Sequence, residues 1–386
     1  MYFDKLKTVN AEVTYSRFDG VSSTEFNLMV TPTEKGSVDN QLEAIREALN
    51  RFMDKFNLEQ QSIVFQRFFA SDLTNQSDKL ANADLLNCDC AVSIIQQTPL
   101  DGTKIGLWTC LMQGSNNTEF KKEKEGKRVV MSHNDYSHVY TTQMHGQYGD
   151  VCSYKQTNQI FGNYLDLLKG MNLTLEEHCI RTWFYVRDID NNYAGMVKAR
   201  NEVFEENRLT KDTHYITSTG IEGQFTDPGI LVVLDAYAIG GIKPEQIKFL
   251  QALDNLNPTH EYGVAFERGT AIDYGDRRHI FISGTASIDK KGQIVHKGDI
   301  YGQIERTFEN IQALLKTADA ELDDTNSMIV YLRDVADYDA VKTYISTYYP
   351  HIPHILVKAP VCRPGWLIEI ECIAIKQISN SDFHNF

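Results

Sequence analysis

The stretch Gln303-Ile-Glu-Arg-Thr-Phe-Glu-Asn-Ile-Gln-Ala-Leu-Leu315 decides how the chain is read, because it recurs. Gln156-Thr-Asn-Gln-Ile-Phe-Gly-Asn-Tyr-Leu-Asp-Leu-Leu168 keeps the Gln, the Phe, the Asn and both Leu in the same register. Gln41-Leu-Glu-Ala-Ile-Arg-Glu-Ala-Leu49 opens the same way, with apolar residues at Leu42, Ile45, Ala48, Leu49 and Phe52. This spacing gives a helix one buried stripe, so three amphipathic helices packed on something flat are expected. A motif repeated at long intervals points to duplicated units rather than one large core.

Outward from each helix the pattern repeats too. A β-rich run carrying an arginine follows it: Ile63-Val-Phe-Gln-Arg67, Thr182-Trp-Phe-Tyr-Val-Arg-Asp188 and Ile329-Val-Tyr-Leu-Arg-Asp334. Second helices are expected near 77–86, 193–207 and 335–348. Closing strands are expected at 91–95 with 105–112, 215–219 with 230–239, and 355–359 with 367–375. Two leading strands complete each unit in the order ββαβαββ. This is an α+β fold, a mostly antiparallel sheet with helices on one face. A sheet covered on one side must hide the other against a neighbour, so three tandem modules are expected to pack as an intramolecular pseudo-trimer. The expected division is 1–118 for module one, 119–150 for a linker or insertion with the leading strands of module two, 151–250 for module two and 251–386 for module three.

Composition narrows the partners. The chain has 386 residues, 42% hydrophobic and 23% charged, which is globular usage. A net charge of −14 argues against nucleic-acid or membrane-surface binding, which needs a concentrated basic face. An anionic ligand then requires a local cationic pocket. The run Lys121-Lys-Glu-Lys-Glu-Gly-Lys-Arg128 mixes its signs and reads as a solvated hairpin or linker. The first residues lack an apolar run and no long apolar stretch occurs, so a soluble, cytoplasmic protein is expected. The cysteines form no Cys-x-x-Cys pair, which speaks against a disulfide scaffold, and no zinc spacing links them to histidines. His351 and His354 flank Pro353, as in a turn. No metal, nucleotide or flavin motif is present, so no cofactor is expected.

The tract Ala359-Pro-Val-Cys-Arg-Pro-Gly-Trp-Leu-Ile-Glu-Ile-Glu-Cys372 sets Glu369 and Glu371 into an otherwise apolar strand, where Glu is disfavoured. Strand alternation puts both on one face with Leu367 and Ile373. When the closing strands are superposed, Glu371 meets Asp235, Glu369 meets Val233, and Leu107-Trp-Thr-Cys-Leu-Met112 offers no acid. Copies that lose the carboxylate but keep its apolar frame suggest that Glu369 serves something other than folding. One alternative is an intermodule ion pair with an arginine. The other is an acid whose pKa is raised by apolar Trp366, Leu367 and Ile368, ready to give up a proton near neutral pH.

Ile282-Ser-Gly-Thr-Ala-Ser-Ile288, the helix from Gln303 and the terminal Ile368-Glu-Ile-Glu371 resemble the RidA/YjgF family, homotrimers of ββαβαββ subunits with clefts between neighbours. The resemblance implies that Glu369 is the acid facing a cleft. Single-module enamine/imine deaminases of that family carry a Pro-x-Arg whose arginine grips the substrate carboxylate; here His354 stands at that position. Over nearly the whole chain the sequence is similar to the multi-module chorismatase (FkbO-like) branch. That likeness rests on Pro99-Leu-Asp-Gly102, Ala199-Arg-Asn-Glu-Val-Phe204, Ser218-Thr-Gly-Ile221, Phe266-Glu-Arg-Gly269, Ser283-Gly-Thr-Ala-Ser287, Gly298-Asp299 and Cys362-Arg363.

This second resemblance implies cleavage of the enol-pyruvyl ether of chorismate or a related anionic metabolite. Glu369 is then the general acid, and pyruvate leaves with a dihydroxycyclohexadiene or hydroxybenzoate acid. Two substrate carboxylates call for arginine forks, for which Arg200 and Arg363 are the candidates. Tyr193 precedes Arg200 by about two helical turns on the same side. Tyr185 alternates with Trp183 and Arg187 and is a candidate phenol. Cys362 and Gly269 resemble positions that shape the pocket and separate hydrolytic from hydroxybenzoate-forming members, leaning to the latter. The alternatives are RidA-type enamine/imine deamination and non-catalytic binding of a small metabolite. The implied partner is a small anionic metabolite, with no nucleic acid or membrane, and the chain is expected to be a monomer (pseudo-trimer) or a weak higher oligomer.

Overall fold

The computed structural model describes residues 1–86, 88–115, 118–147 and 152–386; the module boundary expected at 150/151 lies outside them. The first unit runs β1 (Tyr2–Lys7), β2 (Ala11–Asp19), β3 (Ser23–Pro32), α1 (Val38–Phe56), β4 (Ile63–Ala70), α2 (Leu73–Ala81), β5 (Ala91–Gln96), β6 (Thr98–Pro99) and β7 (Ile105–Gly114). The second runs β8 (Lys121–Glu125), β9 (Arg128–His133), β10 (Tyr136–His145), α3 (Ser153–Gly170), α4 (Leu175–His178), β11 (Cys179–Val186), α5 (Ile189–Glu206), β12 (Thr217–Glu222) and β13 (Val232–Gly240). The third runs β14 (Ile247–Phe249), β15 (Gly269–Asp273), β16 (Arg277–Ala286), α6 (Ile300–Thr317), β17 (Thr325–Leu332), α7 (Tyr338–Tyr348), β18 (His354–Lys358) and β19 (Ile368–Gln377).

Three sheets result, ordered β1-β2-β3-β7-β4-β5, β12-β11-β13-β10-β9-β8 and β14-β15-β16-β19-β17-β18-β6. In each, the strand after the long helix pairs in parallel with the strand after the second helix, and its other neighbour is antiparallel. The expected ββαβαββ core is therefore present three times. Each sheet also gains one strand ahead of it, β1, β8 and β14, so the leading pair is a leading trio. The charged run does form a hairpin, β8–β9, turning at Gly126, whose φ of 57° suits glycine.

The arginine runs do not superpose as the spacing suggested. Each post-helix strand has a bulge near its start, between Ile63 and Phe65, Cys179 and Arg181, and Thr325 and Ser327. Counted from the bulge, Arg67 occupies the place of Trp183 and Ile329, opposite Trp108, Asp235 and Glu371 in turn. Arg187 and Arg333 lie just beyond their strands. The bulge also fixes which side chains turn inward.

The conserved opening Gln of the repeat now has a physical role. Gln41 donates to Glu34 O at 2.9 Å and accepts from Lys104 N at 2.8 Å. Gln156 donates to Gly229 O and accepts from Leu231 N, both at 2.8 Å. Gln303 donates to Gly365 O and accepts from Leu367 N, both at 2.9 Å. In each module one buried amide ties the helix start to the residue leading into the closing strand, satisfying backbone groups that burial would otherwise orphan.

Each helix covers the outer face of its own sheet; α1, for example, buries Leu42, Ile45, Ala48, Leu49 and Phe52 there. The inner faces meet, so Phe65 and Trp108, Trp183 and Tyr237, and Phe281 and Tyr331 share one aromatic-rich cluster. The seams run cyclically, β5 against β10, β12 against β16, and β17 against β2 and β3. That head-to-tail order is the pseudo-threefold arrangement expected. Among the described residues no helix is long and apolar enough to cross a membrane.

No disulfide scaffold was expected, and a single local bridge across one residue does not make one. Cys88 and Cys90 form a disulfide, with Cα atoms 5.3 Å apart. The bend leading into β5 turns the two thiols together across a single residue, a spacing that a search for Cys-x-x-Cys passes over.

Candidate active site

The candidate site lies at the seam between the second and third modules. Two anchors set the start of β19: Leu367 N on Gln303, and Trp366 Nε1 donating to Ser287 O at 3.0 Å. Glu369 follows and points inward across the seam. Opposite it, β16 is interrupted between Ile282 and Thr285. Gly284 lies in that interruption, where a Cβ would collide with Glu369 Oε1, so glycine is what lets the carboxyl lie there. From the second module, Thr219 Oγ1 accepts from Gly284 N at 2.9 Å and Ser218 N donates to Ser283 Oγ at 2.9 Å. These bonds hold β12 against β16.

A cavity of about 290 Å³, partly open to solvent, lies where these elements meet. Glu369 is the one carboxylate among the described residues that line it, and Arg200, Arg268 and Arg363 line it too, together with Tyr193 and Cys362. The Glu369 side chain is buried and makes no hydrogen bond to another described residue. Burial first, then the nearby Glu371 charge, push its pKa up to about 8, while Arg181 and Arg268 pull the other way and do not prevail. Near neutral pH it therefore holds its proton. Cys362 is also pushed up, to about 12, by burial and then by Glu369, so it stands as a thiol beside Tyr193 rather than as a nucleophilic thiolate.

The second carboxylate of the signature behaves differently. Glu371 accepts from Arg181 Nη2 at 2.7 Å and Trp183 Nε1 at 2.8 Å, with Arg67 Nη1 at 3.9 Å. Asp235, its counterpart in the second module, accepts from Arg67 Nη2 at 3.1 Å. The intermodule ion pair considered for Glu369 is thus made one step along the strand by Glu371.

Of the residues singled out in the sequence, Glu369, Arg200, Arg363, Cys362 and Tyr193 come together around this cavity. Tyr185 and Gly269 do not. Tyr185 points to the threefold centre, with the Arg67 guanidinium 5.4 Å from its ring. Gly269 packs against the neighbouring strand, where a Cβ would lie 2.9 Å from Phe281 O and 3.1 Å from Ile282 Cδ1. His354 sits in β18 with Nδ1 2.7 Å from Ile352 O, away from the cavity lining.

Two lining residues escaped the sequence reading. Arg268 immediately precedes the glycine that was chosen, and Gly284 stands inside Ser283-Gly-Thr-Ala-Ser287. A glycine in the middle of an apolar strand signals close approach, and that signal was available.

A second, smaller hollow of about 60 Å³ lies at the threefold centre among Phe65, Trp108, Trp183 and Tyr237. Its carboxylates are committed, Glu25 to Arg277 and His279, Asp235 to Arg67. It offers no acid free to give a proton.

Comparison with known proteins places this geometry. Residues 267–376 match the family model described as Endoribonuclease L-PSP. A RutC family protein of Pyrococcus abyssi is 37% identical over 100 residues, covering 25% of this chain and 79% of that protein. The chain belongs to the RutC family. Another member, the 3-aminoacrylate deaminase RutC of Acinetobacter baylyi, is 31% identical over 97 residues, 25% of this chain and 77% of its own. The sequence likeness to these RutC proteins spans only about a quarter of the chain; the fold likeness reaches further. A crystal structure of a chorismatase matches 92% of this chain and 99% of its own, with a TM-score of 0.63 at 18% identity. The three-module architecture is therefore shared with that enzyme.

Proposed function

We propose that this RutC-family chain is a chorismatase-like enzyme that cleaves the enol-pyruvyl ether of chorismate or a closely related dicarboxylate. The observation that carries the reading is a desolvated, protonated Glu369 facing a cavity ringed by Arg200, Arg268 and Arg363. An enol ether is cleaved by protonating its terminal carbon, a reluctant base that needs a neutral acid held in place. Glu369 gives its proton to that carbon and leaves a carboxylate, which Arg181 and Arg268 then stabilise. The oxocarbenium ion is trapped by water or by a substrate hydroxyl, and collapse releases pyruvate. With water the ring leaves as a dihydroxycyclohexadiene acid; without net water it leaves as a hydroxybenzoate.

The arginines answer the charge of the substrate. Arg200 on α5 is fully buried, and Arg363 lies with its guanidinium 5.0 Å over Trp366. Planar forks of this kind suit carboxylates. Incubation of the purified chain with chorismate, followed by a coupled assay for pyruvate, tests the reading. Release that is lost in Glu369→Gln supports it; no release, or release unchanged in the variant, removes it.

A second reading is deamination of an enamine such as 3-aminoacrylate, favoured by the Acinetobacter baylyi relative, which is named for that activity. His354, at the position of the family's carboxylate-gripping arginine, weighs against it. Ammonia release from 3-aminoacrylate without pyruvate release from chorismate would select it. Saturable binding of chorismate with neither product would instead mark a metabolite-binding protein.

A further inference from the structure

We propose that Cys88 and Cys90 form a redox-responsive dithiol/disulfide site that exchanges with an external dithiol. The two are separated by a single residue, so the closed loop takes little entropy from the unfolded chain and makes a poor staple. Both neighbours of the loop are already held by other means. Ala91, next after Cys90, begins β5 in parallel register with Phe65 of β4. Lys124, on the β8 strand of the second module, donates its ammonium to the Cys88 carbonyl. The fold does not need the bond, and a bond that adds little to the fold is free to respond to its surroundings.

The pair is asymmetric in access. Cys90 is fully buried, whereas Cys88 is half-buried and lines a broad open groove with Arg46, Lys122 and Lys124. Two acids, Asp84 and Asp89, share the groove, so cations outnumber them. Cationic surroundings draw an incoming thiolate, the form that exchanges, toward Cys88 Sγ. An acceptor is also in place for the reduced state: Gln66 Oε1 lies 3.6 Å from Cys88 Sγ and 3.7 Å from Cys90 Sγ. Neither thiol is left without a partner when the bond opens. By contrast Cys179 and Cys372 are buried elsewhere, and burial pushes each up to about 12.

The step balances simply. A thiolate of the external dithiol attacks Cys88 Sγ, the bond to Cys90 breaks, and Cys90 takes the electron pair and a proton. The second thiol of the reductant then displaces Cys88, leaving two protein thiols and an oxidised, disulfide-bonded reductant. Oxidation runs the same steps backward.

The test equilibrates the full native chain in mixtures of reduced and oxidised dithiothreitol, quenches with acid, alkylates, and maps the peptide containing 88–90 by mass. The expected result is loss of both alkyl groups on this peptide as the buffer becomes oxidising, and their return under excess dithiothreitol without unfolding, followed by near-ultraviolet circular dichroism. In Cys90→Ser, oxidised glutathione should add one glutathione to Cys88; in folded Cys88→Ser, buried Cys90 should take none. Two free thiols throughout the series, a bridge that excess dithiothreitol opens only with denaturant, or a Cys88 that takes no glutathione in a folded Cys90→Ser would overturn the proposal. Peptide mapping separates any labelling of exposed Cys152.

Discussion

At the scale of the residue, Glu369 and Glu371 differ by their partners, not by their strand. Both lie on one face of β19, which the sequence states through alternation. Which of them is neutral depends on Arg181, Trp183 and Arg67, which come from other modules and fasten on Glu371. Such long-range pairing is not legible in a strand's own residues. Alternation likewise says which side Tyr185 faces but not what packs there, and Gly269, taken from the resemblance, lies against the neighbouring strand instead of the cavity. Replacement Glu369→Gln should remove turnover by about 10²- to 10⁴-fold, the usual range for a positioned acid. It should also stabilise. The folded pKa of about 8 exceeds the unfolded value near 4.5, so the wild type loses stability as pH rises from 4.5 through 8. The glutamine does not ionise, and its unfolding free energy from urea titration at pH 8 should exceed that of the wild type by an amount on the order of a few kcal/mol. Activity of the wild type should fall as pH rises through about 8, where the acid form is lost. In Glu371→Gln one charge that raises Glu369 is gone and Arg181 is freed to lower it, so the alkaline limb of the pH–rate profile should move to lower pH. A limb that stays put would mean that burial alone sets the acid.

At the scale of the element, the repeat was legible because one buried stripe and one glutamine recur in three helices. Its fine register was not. The bulges in β4, β11 and β17 add a residue that composition does not announce, and so Arg67 was aligned with Arg187 when it belongs with Trp183. The leading strands β1, β8 and β14 were missed for a related reason. β1 and β8 are exposed along most of their length, and β14 is only three residues long, so none carries the half-buried alternation that marks a strand. The glutamine clamps give a prediction that belongs to this scale. Gln41→Ala and Gln303→Ala each take the side-chain partner from a part-buried backbone N–H and C=O, and each should cost about 0.5–1.5 kcal/mol of stability in denaturant titrations. Only Gln303 holds Leu367, two residues before the acid. Its variant should therefore also lower kcat, with the Gln41 variant serving as the control of equal instability. Equal kcat in the two variants would show that β19 keeps its place without the clamp.

At the scale of the whole molecule, three modules in one chain allow each seam to specialise. The seam between modules two and three keeps a cavity beside Glu369, whereas across the seam between one and two the Gln96 and Gln224 side chains bond at 3.1 Å and Gln97 donates to Glu222 O at 2.6 Å. The centre is held by polar contacts as well as by aromatic packing. His133 and His138 meet through Nε2 atoms 2.9 Å apart, and His138 Nδ1 lies 2.6 Å from Tyr237 Oη. Burial lowers the His133 pKa to about 4 and takes His138 well below its ordinary value, so both are neutral in the folded chain. The sign then follows. An unfolded histidine binds its proton near pH 6.5, so the stabilisation due to the neutral rings is full above 6.5 and is lost as pH falls toward 4. For one ring that slope reaches about 1.4 kcal/mol per pH unit. Carboxylates with lowered pKa, Glu25, Asp273 and Asp276, act only further into acid, while raised ones such as Glu369 titrate alike in wild type and variant and cancel from their difference. Replacement His133→Phe removes one titrating ring from a site already bounded by Phe120 and Phe386. Urea midpoints measured from pH 6.5 down to 4 should fall less steeply for this variant than for the wild type, while the two run parallel above pH 7. Parallel curves throughout would mean that His133 already carries its proton inside the folded centre.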